Sequence, residues 1–178
     1  MDLEHLVVAV GDLVVGRGTL VADPDCSLFI EPDTPGRAPE SSSVARLPLI
    51  GSDLDTSSAG NLVAIRGTLR ADGIHLRDIR IVEATPFPGA PTLRIPGPLR
   101  TNWTRADVLD TVEHDMPAGN ELLAGSGGTR NPDGSDTFTL FFLYIDDAAA
   151  AWLRRPHPGP IDVWTALTKD LWPTGRSD

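Results

Sequence analysis

R-G-T-L-V-A-D at residues 17–23 and R-G-T-L-R-A-D at residues 66–72 differ at a single position. Each copy follows a small apolar pair, Val14-Val15 before the first and Val63-Ala64 before the second. Successive side chains of a strand point to opposite faces, so a period of two assigns sides. In the second copy Val63, Ile65, Gly67 and Leu69 share one face, and Leu62, Ala64, Arg66, Thr68 and Arg70 share the other. In the first, Val14, Gly16, Gly18 and Leu20 lie opposite Val15, Arg17, Thr19 and Val21. Both copies predict a strand with one apolar and one mixed face. Both set a glycine on the apolar side in mid-strand, where glycine marks a bulge or the sharp coiling that a small closed barrel needs.

Working outward, the second copy runs into A-D-G-I-H-L-R-D-I-R-I-V. Asp72-Gly73 between two strand signals predicts a hairpin. Ile74 and Leu76 share a phase that then slips, which predicts a bulge near Arg77-Asp78, with Ile79 and Ile81 turned to the core beyond it. Between the copies, residues 27–32 and 44–50 read as strands, and Pro48 places the second of these at an edge. Residues 33–43 and 51–61 are polar and rich in breakers, so they read as loops.

Five strands, bends at glycine, the pattern V-x-x-x-G-T-L and a closing hairpin resemble the oligonucleotide/oligosaccharide-binding (OB) fold over residues 6–85. Other small Greek-key barrels, SH3-like ones among them, write similar patterns. The twin heptapeptides fit two equivalent barrel strands, whether they arose by duplication or by convergence.

Residues 86–100 hold five prolines and two glycines and read as an extended connector, with Leu93, Ile95 and Leu99 able to pack against a neighbour. Beyond it a helix is predicted from Thr104, with Asp107 three positions on and Val108, Leu109, Val112 and Met116 as its apolar stripe, ending at Pro117. Asn131-Pro132-Asp133-Gly134 is a turn. F-T-L-F-F-L-Y-I at 138–145 is apolar on both faces and reads as a central strand. Asp146 or Asp147 caps a following alanine-rich helix that carries Arg154-Arg155 at its end. The tail from Ile161 to Trp172 reads as a short strand followed by a helix. The expected class is α+β: a five-stranded OB-like barrel (1–85), a connector (86–100) and a small α/β unit (101–178).

The chain carries a net charge of −10 and a pI near 4.7, which disfavours a general polyanion binder. Its one cysteine, Cys26, allows no internal disulfide, and no Cys/His spacing suits a metal. The acidic start M-D-L-E and the lack of an apolar run of about 20 residues predict a cytoplasmic protein with no membrane partner. G-S-G-G-T at 125–129 lacks the Lys and the following helix of a phosphate loop and reads as a flexible hairpin loop. The four histidines are scattered, Asp146-Asp147 is explained by capping, and Cys26 has no activating neighbour. No catalytic residue, metal or cofactor is expected.

The informative feature is a basic row. Arg17, Arg66 and Arg70 fall on mixed faces, Arg77 and Arg80 come from the adjoining hairpin strand, and Phe29 and Arg46 lie on the strands between. Residues 62–80 hold four arginines against two aspartates. Arginine without lysine suits bidentate carboxylate or phosphate contacts, and the bland reading is pairing with surface acids. Arg17, Phe29, Arg46, Arg66, Arg70 and Arg77 are the candidate binding residues. The expected function is a non-catalytic binding module that recognises another protein, with the tryptophans of the second half as further anchors. Single-stranded nucleic-acid binding is the alternative, weakened because Phe29 is the only aromatic residue before position 86. An enzyme acting in a crevice between the halves is the third.

Overall fold

A computed structural model describes residues 3–32, 45–51, 55–83, 92–98, 123–130, 132–157 and 159–170, with the backbone alone for 124–130. The helix predicted from Thr104, together with Leu99, Trp103, His114 and Trp172, lies outside the described residues.

The two heptapeptides fall in β1 (Leu13–Ala22) and β4 (Leu62–Arg70), and these strands pair antiparallel along most of their length. β2 (Leu28–Glu31), β3 (Leu47–Ile50) and β5 (Gly73–Ile81) complete a closed, mixed five-stranded barrel in the order β1-β2-β3-β5-β4-β1. β3 and β5 run parallel; the other barrel pairings are antiparallel. Val14, Leu20, Ile30, Leu49, Val63, Ile65, Leu69 and Ile74 fill the interior, as the period-two pattern requires.

Two details of the barrel answer the sequence closely. β4 and β5 form the hairpin closed by Ala71 and Asp72, and Arg70 pairs with Gly73. Their register slips so that Arg66 faces Asp78 and Gly67 faces Leu76, leaving Arg77 as the extra, bulged residue. Two details differ. Ile81 is 52% exposed, at the end of β5 where it pairs with Val63. Pro48 does not mark an edge: β3 lies between β2 and β5. Its pairing with β5 begins at Leu49 and Ile74, so the missing proline N–H interrupts no bond on that side.

A second, four-stranded sheet has the order β6-β9-β8-β7. Its members are β6 (Leu93–Ile95), β7 (Leu123–Arg130), β8 (Asp136–Phe142) and β9 (Ile161–Thr165). β8 is central, and α1 (Asp147–Leu153) connects it to its parallel neighbour β9. The Asp146 carboxylate accepts from the Ala149 N–H at 2.7 Å and caps α1 as expected. Phe138, Leu140, Phe142, Trp152, Leu153 and Val163 build this core, and Leu93 and Ile95 of the connector pack against it.

The glycines at 125–129 are not a loop but part of β7, which pairs with β8 across the Pro132–Gly134 turn. The described part of the tail, through Asp170, holds no helix after β9. After Ala166 the chain forms β10 (Leu167–Lys169), which pairs with Val14, Val15 and Gly16 of β1. An apolar stripe at helical spacing was overridden because β8 and β1 offer open ladder partners on either side of Ala166. The two sheets therefore touch through the chain itself. Leu143 and Leu167, both fully buried, belong to the barrel core, and Leu167 N–H donates to the Leu143 carbonyl at 2.9 Å. At the N-terminal side Leu6 packs in the second core and Val8 in the barrel. Val8 N–H donates to the Ile145 carbonyl at 2.7 Å. No helix among the described residues is long and apolar enough to cross a membrane.

Candidate binding surface

The outer face of the barrel is set by registry. Arg17 on β1 and Arg80 on β5 both lie directly across from Ala64 on β4. Arg66, two residues along β4, lies across from Val15 and Asp78. Arg17, Arg66 and Arg80 therefore share one wall, and all three are exposed. Arg80 is not one of the six candidate residues. Its signal is the bulge: once the phase slips at Arg77, an outward Arg80 follows from an inward Ile79.

Arg66 is tied to a distant partner. Its Nε donates to Asp170 Oδ2 at 2.5 Å, and the Asp170 side chain is only 1% exposed. The Asp170 N–H in turn donates to the Leu13 carbonyl, so the residue directly after β10 delivers the carboxylate. Nothing local in the sequence links these two residues.

A second group forms where the β1–β2 loop meets the entry to β3. Arg46 places its guanidinium 4.3 Å from the centre of the Phe29 ring. Its two terminal nitrogens donate to the two Asp23 carboxylate oxygens at 2.7 and 2.9 Å. Phe29 lies across from Val21 and from Pro48, and both it and Arg46 remain accessible. Cation–π and bidentate contacts hold the same guanidinium, which gives it one orientation. Asp23 is the member that composition could not single out.

The six expected residues thus divide. Arg17 and Arg66 are diagonal neighbours; Phe29 and Arg46 are in contact. Val21, the β1 neighbour of Phe29, is four residues from Arg17, or about 13 Å along the strand. Arg70 stands at the mouth of the β4–β5 hairpin, and Arg77 on the bulge. Beside Arg70, His75 Nε2 lies 2.9 Å from Asp72, and this contact holds the Asp72 carboxyl below its ordinary range. No group of three or more metal-ligating side chains occurs among the described residues. No protein-family model, curated protein or solved structure matches the chain.

Away from the wall, His157 is buried at 9% exposure, its ring centre 4.5 Å from that of Trp152. Its Nε2 has no hydrogen-bond partner among the described residues. Burial pushes its pKa below the ordinary 6.5, against the backbone of Leu153 and Trp152, which favours the charged ring. The unfolded chain therefore takes up this proton first as pH falls, and folding is penalised below about 6.5. Each unit by which the folded value is depressed withdraws about 1.4 kcal/mol at low pH. Urea denaturation should show stability falling from pH 7 to 5.5, with a shallower fall in His157→Phe. Parallel pH profiles for the two proteins would remove His157 as the cause.

Proposed function

We propose that this chain is a non-catalytic binding module that recognises another protein through the outer wall of an OB-like barrel. The observation that carries the reading is the Phe29–Arg46–Asp23 group. An arginine and an aromatic ring, the side chains that most often anchor protein interfaces, are held together on an accessible surface. Their geometry is set before a partner arrives, so less side-chain entropy is lost on association. The strand order agrees with the OB resemblance, and so does the position of the group: in that fold the faces of β2 and β3 and the loop between β1 and β2 contact ligands. The nucleic-acid alternative draws less support. Base-stacking sites use open aromatic faces, and the barrel's sole aromatic ring is already covered by Arg46.

Capture from lysate by the immobilised chain, compared with Arg46→Ala and Phe29→Ala, tests the reading. A protein retained by the natural chain should be lost by about tenfold in both variants, the effect of removing about 1.4 kcal/mol. Equal capture by all three chains would refute it. Salt-sensitive binding of a labelled oligothymidylate that is weakened in Arg66→Ala and Arg70→Ala would favour the nucleic-acid reading instead.

A further inference from the structure

We infer that two copies of this chain join into a symmetric dimer through the free edge of β5, in an antiparallel ladder centred on Ile79. The contact uses none of the Phe29, Arg46 and Asp23 side chains and is independent of the proposed function. The barrel closes between β3 and β5 through only two residue pairs, Leu49 with Ile74 and Ile50 with His75. β3 then ends, and Gly51, at φ 79°, takes the chain out of the strand. β5 runs on from Leu76 to Ile81 with β4 on one side and, among the described residues, no strand on the other. Unpaired N–H and C=O groups along such an edge are a template for a further strand.

Registry assigns the free groups. Val82 N–H donates to the Leu62 carbonyl at 2.9 Å, so Leu62 and Val82 form a hydrogen-bonded pair of the β4–β5 ladder. Such pairs alternate along antiparallel strands. Ala64 with Arg80 is therefore the next, and Ile79 and Ile81 direct their N–H and C=O groups away from β4. A second copy set antiparallel, with Ile79 opposite the partner's Ile79, makes that pair a hydrogen-bonded one. Asp78 then lies opposite the partner's Arg80, and the two-fold axis repeats the pair as Arg80 opposite the partner's Asp78. Both are non-hydrogen-bonded positions, where Cα atoms approach to about 4.5 Å and side chains lie closest. The exposed Ile81 meets the partner's Ile79 on the diagonal.

Charge selects a second copy as the occupant. Asp78 and Arg80 are both exposed, and neither makes an ion pair among the described residues. On the β4 side Arg80 has only Ala64 opposite it, and Asp78 has Arg66, whose Nε is taken by Asp170. Edges guarded by lysines carry one sign of charge and repel their own copy. Asp78 and Arg80 instead straddle Ile79 with opposite signs, so antiparallel pairing about Ile79 sets each against its complement. The bulge at Arg77 limits the ladder to a few residues, and the net charge of −10 opposes contact elsewhere. The dimer is therefore reversible and dependent on concentration.

Sedimentation equilibrium of the chain at about 150 mM salt, from roughly 5 to 500 μM, tests the pairing. The mass should rise with concentration from 19.0 kDa towards twice that value. Asp78→Arg alone and Arg80→Asp alone set like charges opposite each other, and each should weaken association about tenfold or more. Mixed in equal amounts, the two variants restore both opposite-charge pairs and should associate as the natural chain does, a rescue that misfolded variants could not give. Ile81→Pro removes an N–H that the β4 ladder does not use, so it should weaken the dimer and leave the circular dichroism spectrum unchanged. Arg46→Ala should associate within about twofold of the natural chain. A mass of 19.0 kDa at every concentration overturns the inference. So does undiminished association of both charge variants, failure of their mixture to associate, or a loss of association in Arg46→Ala. The capture comparison of Arg46→Ala and Phe29→Ala stands or falls separately from all of these outcomes.

Discussion

Gly18→Val and Gly67→Val should each lower stability by roughly 3 kcal/mol or more, because neither site has room for a first side-chain carbon. A Cβ on Gly18 would stand 2.2 Å from the Glu31 carbonyl oxygen and 2.7 Å from Ile30 Cγ1. A Cβ on Gly67 would stand 2.6 Å from the His75 carbonyl oxygen and 2.7 Å from Ile74 Cγ2. In both cases the nearest atom is backbone, which cannot rotate away. The strands would have to separate where β1 coils against β2 and where β4 faces the bulge of β5. For a chain of this size the loss amounts to a fall in melting temperature on the order of 10 °C. Thr19→Val and Thr68→Val, one residue on and facing outward, should change stability by no more than about 0.5 kcal/mol. Thermal and urea unfolding of the four variants gives the answer. If the glycine variants melted within 2 °C or so of the natural chain, the close packing behind the repeated R-G-T-L would not exist.

Leu143→Ala is the second large effect. Leu143 directly follows β8 of the four-stranded sheet, yet its fully buried side chain packs with the barrel residues. Removing it should cost about 2–5 kcal/mol, through lost burial and the cavity left behind. Amide hydrogen exchange should report the consequence in two places. Protection should fall in β8 and also in β1, because the Leu143 carbonyl accepts from Leu167 at the start of β10, and β10 pairs with β1. A loss confined to the second sheet would show that Leu143 does not connect the two cores.

Much of the barrel could be read directly. Alternation assigned the faces of β1 and β4, Asp72-Gly73 located the hairpin, and the phase slip located the bulge at Arg77. These are local signals, each carried within a few residues. The readings that failed concern partners remote in sequence. The glycines at 125–129 look like a loop until β8 supplies a ladder, and the tail looks helical until β8 and β1 supply two. Ile81 looks buried by its phase, yet at the end of β5 it is 52% exposed.

The candidate surface divides in the same way. That Arg17 and Arg66 would share a wall followed from the period of a strand and the likeness of the two heptapeptides. That Arg80 would complete a group around Ala64 needed the register of β5, which the bulge shifts. The carboxylates could not be assigned in advance: Asp23 reaches Arg46 across 23 residues, and Asp170 reaches Arg66 across 104. The amino-acid sequence alone determined strand faces, turns and the helix cap, since backbone sterics and side-chain periodicity act over a few residues. Only the tertiary structure decided which arginines meet, which acids hold them, and how the last strands join the barrel, because those outcomes depend on ladder bonds and buried contacts between segments far apart in the chain.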